Sequence, residues 1–97
     1  MSYRQRFHML ALKEWHKLDA VSREQFKKKL AERLEEPRIP SAAFSGMKDC
    51  YKIKLRTAGY RLVYRVEDDI LYVTIIAVGK RAHLKVYAKA RHRTPSE

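Results

Sequence analysis

The sequence predicts an α+β domain in the order β-α-α-β-β-β with a short C-terminal helix, built on a mostly antiparallel four-stranded sheet. Three observations predict it. Two runs in the second half alternate between apolar and cationic residues, as strands with one wet face do. A third run, Ile70 to Val78, is almost continuously apolar and β-branched, which marks a strand buried on both faces and internal to the sheet. Ahead of these lie two stretches with apolar residues at helical spacing.

Tyr3 to His8 alternates weakly and reads as a short edge strand. Met9 to Leu18 reads as a helix with Ala11, Leu12, Trp15 and Leu18 on one stripe. Asp19 is placed to cap a second helix ending before Pro37, because a carboxylate accepts the orphan amides of a first turn. That helix carries Phe26, Leu30 and Leu34 at i, i+4 and i+8, with Lys27, Lys28 and Arg33 largely off the stripe. Pro37 to Lys48 is a loop, broken by Pro37, Pro40 and Gly46.

From Tyr51 to Arg56, the apolar set Tyr51, Ile53 and Leu55 alternates with Lys52, Lys54 and Arg56. The next strand sets Tyr60, Leu62, Tyr64 and Val66 against Arg61, Val63 and Arg65. Thr57-Ala58-Gly59 is the turn, with Gly59 free to take positive φ. A tight turn pairs Leu55 with Leu62, Ile53 with Tyr64 and Tyr51 with Val66. It also opposes Arg56 to Arg61 and Lys52 to Arg65; like charges directly opposite are destabilising, so that face suits an anion. A second turn at Asp68-Asp69 pairs Val66 with Leu71, Tyr64 with Val73 and Leu62 with Ile75.

The two helices are expected on the Tyr51/Ile53/Leu55 face, where burying Trp15 and Phe26 supplies roughly 2–3 kcal/mol each. Residues 84 to 93 form a short basic helix with a weak stripe of Leu84, Tyr87 and Ala88. Residues 1–93 then make one domain and 94–97 a disordered tail.

Twenty-two Lys+Arg against 11 Asp+Glu give a net charge of +11. Such a balance implies a polyanion partner held with salt-sensitive, sequence-blind affinity. A single cysteine, Cys50, excludes an internal disulfide and the usual zinc spacings, and reads as a buried or half-buried thiol rather than a nucleophile. The N-terminus lacks an adequate apolar signal region, and no apolar run approaches the ~20 residues of a membrane span. A cytoplasmic protein without membrane contact, metal or cofactor is expected.

Chemistry concentrates in Lys52, Lys54, Arg61, Arg81 and Tyr87, gathered around the sheet: strong cations and one phenol suit a phosphodiester, specifically RNA. Lys27, Lys28, Lys29, Arg56, Arg65 and Lys80 are candidate RNA contacts. His83, two residues after Arg81, could add an acid or base near neutrality, or lie idle on the surface. Plainer readings stand beside these. Lys52, Lys54 and Arg56 could be a solvated sheet face, and Lys27 to Lys29 a solvated helix face. Arg61 and Arg65 could pair with Glu67, Asp68 or Asp69, and Tyr87 could close a core edge.

Ala11-Leu12-Lys13-Glu14-Trp15, Arg23 to Leu30, Asp49 to Arg56, Gly59 to Tyr64 and Val78-Gly79-Lys80-Arg81 resemble the RelE toxins of bacterial toxin–antitoxin modules. The resemblance runs without gaps from about Ala11 to Tyr87. It implies a microbial-ribonuclease-like fold and a ribosome-dependent, metal-independent endoribonuclease that cuts mRNA in the A site. It implies that Lys52, Lys54, Arg61, Arg81 and Tyr87 are catalytic. It also implies a RelB-like antitoxin that wraps the toxin and its C-terminal helix; no DNA binding is expected from the toxin alone. Known relatives carry a basic residue just before the loop glycine, where this chain has Ser45 before Gly46, which leaves codon preference open. Two other readings remain: a same-fold DNA gyrase poison, and a non-catalytic RNA- or ribosome-binding protein.

Overall fold

A computed structural model describes residues 2–80 and 85–94. The elements are β1 (Arg4–Phe7), α1 (Met9–His16), α2 (Ala20–Glu35), β2 (Cys50–Leu55), β3 (Tyr60–Glu67), β4 (Tyr72–Lys80) and α3 (Lys85–Arg93), with a 3-10 turn at Pro40–Ala42. The sheet order is β1-β4-β3-β2. β1 runs parallel to β4, and the other two pairings are antiparallel. Class and element order are those predicted, with β1 on an edge and β4 internal. Among the described residues, no helix is long and apolar enough to cross a membrane.

The helices start where the chain offers caps. Asp19 accepts from the Ser22 amide at 3.0 Å and the Ser22 hydroxyl at 2.7 Å, which satisfies part of the first turn of α2. Phe26 and Leu30 then face inward, joined by Ser22, while Leu34 packs at the border. On α1 the inward residues are Ala11 and Trp15, and Leu18 follows just past the helix end. Leu12 does not join them: it is 39% exposed, because one residue beyond Ala11 the helix has already rotated its side chain toward solvent. These side chains meet Ile53, Leu55, Leu62, Tyr64, Val73 and Ile75 on the predicted sheet face.

The strand registers differ from expectation by one pleat, and past a bulge in β4 by one residue more. Ile53 pairs with Leu62, Tyr51 with Tyr64 and Leu55 with Tyr60. The hairpin loop is four residues, Arg56 to Gly59, closed by the Gly59 amide on Leu55 O at 2.8 Å with Gly59 at φ +74°. The second loop is also four residues, Asp68 to Leu71, so β4 begins at Tyr72 and runs to Lys80. Tyr64 therefore pairs with Ile75 and Val66 with Val73. A bulge next to Val63/Tyr64 leaves Ile76 as the extra residue of β4, so that Leu62 meets Val78 and Arg61 meets Gly79. The expected oppositions of Arg56 to Arg61 and Lys52 to Arg65 are absent. Lys54 opposes Arg61 instead, while Lys52 lies opposite Val63 and Arg65 opposite Cys50.

A second apolar cluster covers the other sheet face. Phe44, Cys50, Val63, Ile76, Ala77, Val86 and Ala90 form it, with Tyr87 at its edge. The buried stripe of α3 is thus Val86 and Ala90, not Tyr87 with Ala88, which is exposed; Leu84 lies outside the described residues. Thr94 of the expected tail donates its hydroxyl to Ala90 O at 2.8 Å, and 95–97 lie outside the described residues.

Tyr64 ties α2 to the sheet. Its buried hydroxyl donates to Pro37 O at 2.6 Å and accepts from Arg33 Nη1 at 2.8 Å. Burial pushes this phenol up, so it remains a donor. Tyr64→Phe should cost about 1–3 kcal/mol by stranding both partners, read as a lower urea midpoint with an unchanged m-value.

Glu14 ties α3 to the sheet. Burial pushes its carboxyl up, but hydrogen bonds from Arg93, Lys89 and the Val78 amide outweigh that and hold it below the ordinary 4.5. A carboxyl lowered in the folded state stabilises above its unfolded value and loses that contribution as pH falls through the folded value. The melting-temperature gap between the parent and Glu14→Gln should therefore be open at about pH 6 and narrow only as pH falls below the ordinary carboxyl value of 4.5.

Candidate active site

β2, β3 and α3 bring four of the five principal residues together. Lys52 and Lys54 lie two apart on β2 and share a face. The β2–β3 register sets Arg61 directly across from Lys54. On its other side Arg61 pairs with Gly79, which presents no side chain to cover it. α3 crosses the same face and presents the half-buried Tyr87, whose ring lies 5.9 Å from Lys52 Nζ and 5.2 Å from the Phe44 ring. Arg81 follows directly on Lys80, the end of β4; both Arg81 and His83 lie outside the described residues.

Arg61 is the unusual member. It is 5% exposed, and one of its terminal nitrogens donates to Tyr60 O at 2.9 Å. Its buried Nε finds no hydrogen-bond partner, and among the described residues no carboxylate pairs with it or with Lys52. A buried guanidinium without an anion is costly unless a ligand supplies one. The ion-paired carboxylates among the described residues sit elsewhere. Asp49 and Asp68 hold Arg38 at 2.9 and 2.6 Å, Glu67 holds Arg6 at 2.8 Å, and Glu14 holds Lys89 and Arg93. The hydrogen bond from Tyr3, then that from Arg38, keeps the Asp68 carboxyl low and charged. Among the described residues, the charges of Lys52 and Arg61 are therefore not cancelled by a carboxylate.

The supporting cations divide. Lys28 and Lys29 line a groove of ≈ 480 Å³ with Gln25, Lys54, Arg56 and Thr57, so α2 and the β2–β3 loop extend the cationic surface from Lys54. Arg56 belongs to this groove rather than to the strand face, because the loop has already begun there. Lys27 instead reaches Glu24 at 3.3 Å as a surface pair. Lys80 lies 6.0 Å from the Tyr60 ring centre. Arg65 stands away from the site, lining a cleft with Arg38, Asp49, Glu67 and Asp68, and its charge helps lower Glu67.

Three contributors escaped the sequence reading. Arg33 reaches under β2 to Lys52 O at 3.3 Å and so braces the strand beneath the lysine. Phe44 packs on Tyr87 and lies 4.7 Å below the Arg91 guanidinium. Its signal was an aromatic inside a proline- and glycine-bounded loop. Glu14 is a charge inside an apolar helical stripe, at i+3 from Ala11.

Fold and site define a small basic α+β domain whose sheet face gathers convergent cations and a phenol. A family model described as the ParE toxin of the type II toxin–antitoxin system parDE matches residues 6–84. The chain is 55% identical over 93 residues to the mRNA interferase toxin RelE of Escherichia coli K12, covering 96% of this chain and 98% of that one. A double arginine mutant of E. coli RelE in the free state superposes with a TM-score of 0.91 at 53% identity, covering 98% of this chain and all of the other. The toxin in the intact E. coli RelBE toxin–antitoxin complex superposes at 0.80 with 57% identity, over 81% of this chain and 96% of that one. The chain belongs to the RelE/ParE family of type II toxins.

Proposed function

We propose that this chain is the toxin of a type II module and a ribosome-dependent endoribonuclease that cuts mRNA in the A site. The observation that carries the reading is the buried Arg61, which no carboxylate among the described residues pairs, flanked by Lys54 with Lys52 and Tyr87 on the same face. The relative at 55% identity bears the name mRNA interferase, which favours cleavage over gyrase poisoning. A gyrase poison also has no need of a phosphate-cleaving constellation.

The RNA's own 2′-oxygen attacks the adjacent phosphorus in line and expels the 5′-oxygen of the next nucleotide. The products are a 2′,3′-cyclic phosphate and a 5′-hydroxyl, and DNA, lacking the nucleophile, is inert. Arg61 clamps the scissile phosphate with its fork of donors, and Lys52 and Lys54 neutralise the charge that develops on it. Tyr87 takes the 2′-proton. Arg81, adjoining the end of β4, stabilises the leaving side, and Lys54 is suited to give it a proton, since arginine hardly loses its own. The set holds no histidine–carboxylate pair, so alignment of the RNA must come from outside. A codon held taut on the ribosome supplies it, and positioning of this kind is worth several kcal/mol of barrier. Acting on ribosomes, the protein works in the cytoplasm, and a RelB-like antitoxin is its inhibitory partner.

The deciding experiment maps cleavage ends on an mRNA in a programmed ribosome beside the same mRNA free. Cuts confined to the A-site codon of the ribosome-bound message are expected. Equal cutting of free RNA would make the protein a self-sufficient ribonuclease and turn attention to His83. No cutting in either sample would move the reading to gyrase, tested by supercoiling. The groove makes a separate expectation. Lys28→Glu with Lys29→Glu should raise KM for ribosomes more than it lowers kcat, and should flatten the salt dependence of binding by about two counterions.

A further inference from the structure

Glu14 lies in the apolar stripe of α1, three residues after Ala11 and beside Trp15, and a carboxylate there needs partners. It has four. Oε1 accepts from the Val78 amide at 3.1 Å and from Arg93 Nη1 at 2.9 Å. Oε2 accepts from Arg93 Nη2 at 2.9 Å and from Lys89 Nζ at 2.9 Å. Arg93 Nη1 also donates to Ile76 O at 2.9 Å. The Glu14 and Arg93 side chains are 13% and 10% exposed, so this two-pronged pair is largely out of water.

The pair stands where a strand is missing. β1 accompanies β4 only from Tyr72 to Ile75. Beyond Ile75 no strand among the described residues neighbours that edge of β4, and the Val78 amide and Ile76 carbonyl need other partners. Glu14 and Arg93 supply them, one as acceptor and one as donor. The same pair anchors the last turn of α3, whose apolar anchors are the small side chains of Val86 and Ala90. Small anchors let a helix roll or slide, whereas a fork on a carboxylate does not. Tyr87 lies six residues before Arg93, about 9 Å along the helix, so a tilt about the anchor moves its ring.

We infer that Glu14 is a positioning residue for cleavage: through Arg93 it sets the angle of α3 and so holds the Tyr87 ring against Phe44 and within reach of Lys52. Glu14 touches no substrate, and the cleavage readout rests on the function proposed above. Glu14→Gln keeps the shape and the Val78 contact but surrenders the charge that grips the fork. On programmed ribosomes kcat should fall about tenfold, because a displaced reacting group loses alignment, while KM stays within about twofold. Glu14→Gln combined with Arg93→Ala should be no slower than the worse single variant, since both act through one contact.

A second readout is independent of activity. With 3-fluorotyrosine at position 87, the fluorine resonance of the full-length protein should move toward the free amino acid's position in Glu14→Gln. If Glu14→Gln fails to fold, Arg93→Lys keeps the charge, loses the fork and carries the same expectations. Unchanged kcat, additive losses, or an unmoved resonance in a folded variant would each overturn the inference. If the parent itself cleaves nothing, the functional reading has failed, and the fluorine spectrum alone decides whether Glu14 places Tyr87.

Discussion

Replacing Arg61 with methionine should leave a folded protein that no longer cuts mRNA. The guanidinium is 5% exposed, its Nε has no partner, and no carboxylate among the described residues offsets its charge. Burying such a group costs stability, and apolar replacements of buried charges are often neutral or stabilising by about 1–4 kcal/mol. The urea midpoint of Arg61→Met should therefore stay level or rise. Cleavage on programmed ribosomes should fall at least about a hundredfold, the usual loss when a preorganised donor to a developing anion is removed. Arg61→Lys should fall between the two, restoring charge without the fork. A methionine variant that cuts normally would remove Arg61 from the site. One that unfolds would make the residue structural.

Tyr87→Phe should cut at least about a hundredfold more slowly, as loss of a proton-transfer group does. The substitution removes one oxygen and leaves the ring, so the packing on Phe44 at 5.2 Å and the seat of α3 are kept. Melting temperature and ribosome affinity should match the parent. Tyr87→Leu sharpens the test, because it keeps apolar bulk and loses the aromatic face. If the phenylalanine variant cuts well and the leucine variant does not, the ring stacks on a base and the proton leaves by another route.

Much of this architecture is legible in the chain because it rests on local periodicity. Alternation at Tyr51 to Leu55 placed the lysines on one face and the apolar residues on the other, and the structure agrees. Asp19 was readable as a cap because its carboxylate acts within three residues. The registers were not readable. Side chains repeat every two residues along a strand, so pairing Ile53 with Leu62 or with Tyr64 leaves every residue on its own face. Loop length breaks that degeneracy, and a four-residue loop moved the opposed cations from Arg56/Arg61 to Lys54/Arg61. The bulge at Ile76 was equally hidden in a run that is apolar throughout.

The site divides along the same line. The identity of the cations and the phenol, the net charge of +11 and the family resemblance all belong to the sequence by itself, since composition and short-range order carry them. Only the tertiary structure decided that Arg61 is buried with no carboxylate among the described residues beside it, that Lys28 and Lys29 join Lys54 in one groove while Arg65 does not, and that Glu14 reaches 79 residues along the chain to Arg93. Burial and partnership depend on which distant segments the fold stacks together, and no periodicity within one segment encodes them.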